Sequence, residues 1–243
     1  MSNNEQHTTG AATNSAGGPN STTLTLIVPA FNEAAIIEKN LASLCDYMST
    51  LRPDYGWEIL VINDGSEDDS GSRAERFASG HNNVRVVHHQ HNRGLGKALQ
   101  TAFEHAYGDY VIVLDVDLSY GPEHIPLLLN KIRESGAEIV ASSPYMKGGK
   151  ISNVPWHRKA LTIWSNRFLS VVAKGKLSSL APMVRAYDRR FIQALDLTSE
   201  GMDINLEIIY KAETLNARIE EERSHLRWPL QRAEDAATHS RQK

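Results

Sequence analysis

Residues 114–123 read Leu-Asp-Val-Asp-Leu-Ser-Tyr-Gly-Pro-Glu and close the apolar run 110–114. Such a run, short and bounded by turn residues, predicts a buried strand. A strand ending in Asp115-Val-Asp117 sets two carboxylates at one edge of a sheet. In an open α/β sheet the carboxyl edge is where ligands bind. Two like charges about 4 Å apart at an effective dielectric near 20 cost roughly 4 kcal/mol. A divalent cation, Mg²⁺ or Mn²⁺, carrying a diphosphate relieves that repulsion with hard oxygen ligands. Helix capping or a solvated loop is the other use of acids at such a place.

Working outward, strands are expected at 24–30, 57–62, 84–88, 109–114 and 138–142. Helices are expected between them at 33–51, 68–77, 97–106 and 123–133, the first from Ile37, Leu41, Leu44 and Met48 at helical spacing. Alternating strands and helices predict α/β architecture: an open, mostly parallel, Rossmann-like sheet with helices on both faces. Beyond 143 the pattern changes to an amphipathic helix at 156–173, a short strand at 183–187, a helix at 203–215 and a last strand at 218–222. The organisation expected is a disordered polar tail over 1–22, one domain over 23–230 and a polar tail over 231–243. Within the domain, 23–143 reads as a nucleotide-binding half and 144–230 as an acceptor half.

The chain has 243 residues, a net charge of -3 and 41% hydrophobic residues. That is ordinary for a globular chain, and nothing in the charge advertises nucleic acid. The single cysteine, Cys45, excludes an intrachain disulfide framework and is expected in the core. No run of about 18 apolar residues occurs, and the N-terminus lacks an apolar signal-peptide core.

Four turns fall at the ends of successive strands: Pro29-Ala-Phe-Asn-Glu33, Asn63-Asp-Gly-Ser66, Asn92-Arg-Gly-Leu-Gly-Lys97 and Asp115-Val-Asp117. In a parallel sheet all four converge on one edge. In this combination and order, VPAFNE, NDGS, NRGLGKAL and LDVDLSYGPE resemble the motif series of family 2 glycosyltransferases of GT-A fold. Within that family they resemble most the polyprenyl-phosphate sugar synthases. The likeness spans about residues 24–225. It implies a nucleotide-sugar donor, GDP- or UDP-linked, a divalent metal, and inverting transfer of a hexose to a polyprenyl or dolichyl phosphate. It also implies a cytoplasmic protein lying peripherally at the membrane face.

By that resemblance Pro29, Ala30, Phe31, Asn32 and Glu33 wrap the nucleotide. Asp64 accepts from the base or ribose, and Arg93 and Gly94 close over the nucleoside. Asp115, with Val116 beside it, sits by the ribose and metal, and Asp117 ligates the metal. Lys97 is either a binding group or a surface charge. Ser119 stands where the synthases often carry a metal-holding Gln, and its short side chain suggests an intervening water.

Two further segments depart from the pattern. In 142–149 Pro144 replaces a phosphate-neutralising Arg, leaving Lys147, Lys150, Arg158 and Lys159 as substitutes. In 179–185 only Arg185 matches, for a phosphate contact or a structural ion pair. Asp203 and Glu207, one turn apart, are base candidates if the acceptor is a hydroxyl, or simply solvated acids. The rival readings are a related transferase acting on a saccharide or small-molecule hydroxyl, and a nucleotide-binding protein without turnover. A nucleotidyltransferase is disfavoured, because VPAFNE is not a Gly-rich, basic phosphate loop. His88, His89 and His91 offer a weak zinc pattern. The apolar stripe in 156–173 is either core or a membrane-surface face.

Overall fold

The computed structural model describes residues 23–51, 55–152 and 183–227. The expectations for 1–22, for the helix at 156–173 with Arg158 and Lys159, for 179–182 and for 231–243 lie outside the described residues.

Strand β1 (Thr23–Ala30) alternates two apolar faces. Leu24, Leu26 and Val28 point into one core with helix α1 (Ile37–Thr50), α2 (Ser70–Ser79) and α4 (His124–Ser135). Ile27 points into a second core with α3 (Leu95–His105), α5 (Arg189–Ala194) and α6 (Ile204–Thr214). Burial on both faces explains why the central strands are almost continuously hydrophobic. Cys45 is buried in the first core, where burial first and Asp46 second push its thiol up to about 11.

The remaining strands are β2 (Gly56–Asn63), β3 (Val84–His88), β4 (Tyr110–Val113), β5 (Ile139–Ser143), β6 (Lys150–Ser152), β7 (Arg185–Asp188), β8 (Ile219–Arg223) and β9 (His225–Arg227). Six of them join β1 in one seven-stranded sheet in the order β3-β2-β1-β4-β7-β5-β8. β1 pairs in parallel with β2 and β4, β2 with β3, and β5 with β8. β7 runs antiparallel between β4 and β5. This mostly parallel sheet with helices on both faces is the α/β architecture that the strand–helix alternation predicted, and it is GT-A-like, as the motif resemblance implied. Strand order reverses at β1, so the turns after β1 and β4 face each other across a switch point.

Two features escaped the sequence reading. The short helix α5 follows β7 directly, started by Asp188, whose side chain accepts from the Phe191 N–H. A second, two-stranded sheet pairs β6 with β9. It is tied to the turn after β4 through a Tyr120–Leu226 bridge and a hydrogen bond from the Arg227 N–H to the Ser119 carbonyl at 2.8 Å.

Candidate functional site

At the switch point lies a cleft of about 350 Å³. It gathers Pro29, Ala30, Phe31 and Glu33 from the turn after β1, Asp64 after β2, Gly94 before α3, and Asp115, Val116 and Asp117 after β4. Nine of the residues singled out in the sequence therefore share one surface. Asn32, Arg93, Lys97, Ser119, Arg185, Asp203 and Glu207 do not line it.

The turn after β1 is latched to the turn after β2. The Asn32 N–H donates to Ser66 Oγ at 3.0 Å, and Asn32 Oδ1 accepts from the Glu67 N–H at 2.9 Å. Asn32 thus spends its side chain on the neighbouring turn and not on a ligand. It does so at φ 56, and Leu118 beside the acid pair has φ 52. Left-handed backbone at non-glycine residues stores strain and clusters at functional sites. Phe31 remains 42% exposed over the cleft, a platform that a planar base could cover.

Asp64 is 4% exposed, and its carboxylate already serves the protein. Oδ1 accepts from the Arg93 N–H at 3.0 Å and from His89 Nδ1 at 2.6 Å, and Oδ2 accepts from the Gly94 N–H at 2.9 Å. A carboxylate only accepts, so His89 Nδ1 carries the proton, and its Nε2 meets Thr101 Oγ1 at 3.0 Å. Asp64 is accordingly the anchor of the 92–94 loop before it is anything else. Gly94 has φ 88, and a Cβ there would sit 2.5 Å from the Glu200 carbonyl oxygen. Only glycine permits that approach. Arg93 stays exposed, held by its backbone alone, and Lys97 turns along α3 to Gln100 Oε1 at 2.9 Å.

The zinc pattern dissolves. His88 engages Asn63 Nδ2 and Glu75 Oε1 while His89 engages Asp64 and Thr101, so both imidazoles are committed to protein groups. Among the described residues no cluster of three His, Cys, Asp or Glu could hold a metal by itself.

Asp115 and Asp117 are only part-buried, and the Ser119 N–H donates to Asp117 Oδ1 at 2.9 Å. Ser119 contributes its backbone here, through that N–H and through its carbonyl to β9. Two hard carboxylate oxygen donors suit Mg²⁺ or Mn²⁺, which take one or two protein carboxylates and complete their shell with phosphate and water. The donor set therefore fits such an ion, and does not fit a site closed by protein ligands alone.

Glu207, by sequence a candidate base or a solvated acid, is engaged by protein groups. It accepts from the Thr198 N–H at 2.9 Å, the Ser199 N–H at 2.8 Å and Lys211 Nζ at 2.7 Å. Burial pushes its carboxyl up, but the hydrogen bonds from Lys211, Ser199 and Thr198 outweigh it and bring the group down to about 2. So weak a base takes no proton from a hydroxyl near neutrality. What Glu207 does is clasp the 198–200 loop, whose Glu200 carbonyl accepts from the Gly96 N–H at 2.7 Å at the start of α3. A pKa depressed in the folded state gives stability that is fully present above about 4.5 and lost as pH falls toward 2. Glu207→Gln is expected to cost about 2 kcal/mol at pH 7. In denaturant titrations the gap to the wild type should shrink below pH 4.5 and nearly close by pH 2.

Arg185 is likewise not on the cleft surface. It is wholly buried at the start of β7 and donates from Nη1 to the Asn205 carbonyl at 3.0 Å. As placed, it supports the first turn of α6. Asp203 is exposed at the N-cap of α6 and makes no capping bond. Sequence reasoning missed Met183, Met202 and Asn205, which line the far end of the cleft. The available signal was Asn205 itself, an amide inside the apolar run Ile-Asn-Leu-Glu-Ile-Ile at 204–209.

A dolichol-phosphate mannosyltransferase of Pyrococcus furiosus is 29% identical over 191 residues, 77% of this chain and 52% of that protein. A polyprenol monophosphomannose synthase of Mycolicibacterium smegmatis is 29% identical over 194 residues, 77% of this chain and 71% of that one. The chain thus spans about half the length of the first of these relatives. In fold it is similar to glucosyl-3-phosphoglycerate synthase of Mycobacterium tuberculosis, crystallised with Mn²⁺, uridine diphosphate and glucosyl-3-phosphoglycerate. The TM-score is 0.64 at 22% identity, with 87% of this chain and 75% of that one covered. The profile described as glycosyl transferase family 2 matches residues 25–195, well over half the chain, and the chain belongs to that family.

Proposed function

We propose that the protein is an inverting, metal-dependent hexosyltransferase that uses a nucleotide sugar and delivers the sugar to a polyprenyl phosphate. One observation carries the reading. Among the described residues the cleft is lined by four carboxylates, those of Glu33, Asp64, Asp115 and Asp117, and by no Lys or Arg. A diphosphate, itself anionic, enters such a cleft only with a cation. Asp115 and Asp117 would hold that ion, and when bound it would offset charge developing on the departing diphosphate. Phe31 and Pro29 would border the base, with the Gly94 backbone close to the nucleoside. The attacking acceptor oxygen forms the new bond to the anomeric carbon as the bond to the diphosphate breaks, and the configuration inverts.

Glu207 favours a phosphate acceptor. A phosphate is already anionic and needs no base, whereas a hydroxyl does. The names of the relatives from Pyrococcus and Mycolicibacterium support the lipid phosphate. The hydroxyl alternative rests on Asp203 alone, and loss of transfer in Asp203→Asn with donor binding intact would favour it. The location proposed is the cytoplasmic membrane face, by peripheral contact. Among the described residues no helix is long and apolar enough to cross a membrane.

The test is thermal stability against UDP- and GDP-hexoses, with and without Mn²⁺. A ligand at a hundredfold excess over its dissociation constant stabilises by about 2.7 kcal/mol. A metal-dependent shift with one nucleotide is the expected result, and no shift with any of them would sink the proposal.

A further inference from the structure

Asn205 is only 4% exposed, yet it lines the cleft, and its Oδ1 accepts no hydrogen bond from any described residue. Such an atom is an anomaly. Buried polar side-chain atoms are almost always satisfied, and an unsatisfied one costs about 1–3 kcal/mol. The backbone around it is, by contrast, secured. Arg185 Nη1 donates to the Asn205 carbonyl at 3.0 Å, and α6 buries Ile204, Ile208 and Ile209 behind it. The backbone is therefore secured while the side-chain Oδ1 accepts from none of the described residues. Its neighbours in the cleft are the apolar side chains of Met183 and Met202, with Asp115 and Asp117 contributing to the same lining.

We infer that Asn205 is a specificity residue that recognises a hydroxyl group of the sugar held in this cleft. This rests on the proposed transferase reading and deepens it. An amide end presents one acceptor and one donor, and a hydroxyl is the small neutral group that answers both. A phosphate offers no proton to Oδ1 near neutrality. The hydroxyl is one of the donor hexose's, since the proposed acceptor presents a phosphate. Arg185 is the positioning residue behind it, which gives that buried guanidinium a task no ligand contact supplies.

The experiment compares wild type with Asn205→Leu and Asn205→Asp by thermal stability and binding. The probes are UDP, GDP and the nucleotide sugar that stabilises the wild type most. Asn205→Leu removes an unsatisfied amide at similar volume, so the ligand-free midpoint should hold or rise. Affinity for the nucleotide sugar should fall roughly tenfold, while affinity for the bare nucleoside diphosphate stays at the wild-type value. Asn205→Asp, which keeps the acceptor, should retain more of the affinity than Asn205→Leu. A loss confined to the sugar-bearing donor bears the inference out. A fall in the ligand-free midpoint with equal loss for the bare diphosphate would overturn the inference, as would unchanged affinities throughout. If the wild type binds neither nucleoside diphosphate, the transferase reading fails and the inference falls with it.

Discussion

Asp117→Ala is expected to fold normally and to lose about a thousandfold in transfer rate. The side chain is part-buried and accepts from the Ser119 N–H. Losing that contact should leave the thermal midpoint within a few degrees of the wild type. The cost falls on the reaction. With Asp115 alone, the acidic cleft has half of its paired carboxylate donors and holds a divalent cation poorly. Charge stabilisation of a leaving group is worth several kcal/mol, and losing one well-placed element of it costs about 10²–10³ in rate. The metal-dependent part of the stabilisation by nucleoside diphosphate should vanish with it. A variant that keeps both its rate and its metal-dependent shift would remove Asp117 from the ion site.

The second large effect is on stability. Asp64→Ala strands the N–H groups of Arg93 and Gly94 and the Nδ1–H of His89 in a nearly closed environment. Breaking a buried charge-assisted network costs about 3–5 kcal/mol. For a domain of this size each kcal/mol moves the midpoint by about 2–4 °C, so a fall of roughly 10 °C is expected. Donor affinity should fall in parallel, because the 92–94 loop loses its anchor. Asp64→Asn, which keeps one acceptor oxygen, should fall between the two. An unchanged midpoint in Asp64→Ala would show that the loop is held from the α3 side, through Gly96 and Glu200.

Much of the cleft was legible because it is local. PAFNE, NDGS, NRGLG and DVD each lie directly after or before an element whose hydrophobic period is plain, and parallel pairing brings such turns to one edge. Element boundaries shifted by a residue or a few: β8 begins at Ile219 where 218 was expected, and α1 begins at Ile37 after three turn residues that follow Glu33. The antiparallel run of β7 between β4 and β5 was not legible, because strand direction is settled by distant partners.

The sequence by itself determined the alternation of strands and helices, the gathering of acids after β4, and the family. The first two follow from periodicity and turn chemistry, which act over a few residues, and the family from the resemblance of the motif series. Only the tertiary structure decided what the individual polar groups do. Glu207 looked like a base and is a clasp, because Thr198, Ser199 and Lys211 converge on it. Arg185 looked like a phosphate ligand and is buried, because β7 inserts between two strands. Asn32 looked like a nucleotide contact and is a latch to Glu67. Asn205, unmarked in the sequence, holds an unanswered oxygen in the cleft. The physical reason is the same in each case: a polar side chain acts through its partners, and those partners come from parts of the chain that only folding brings together.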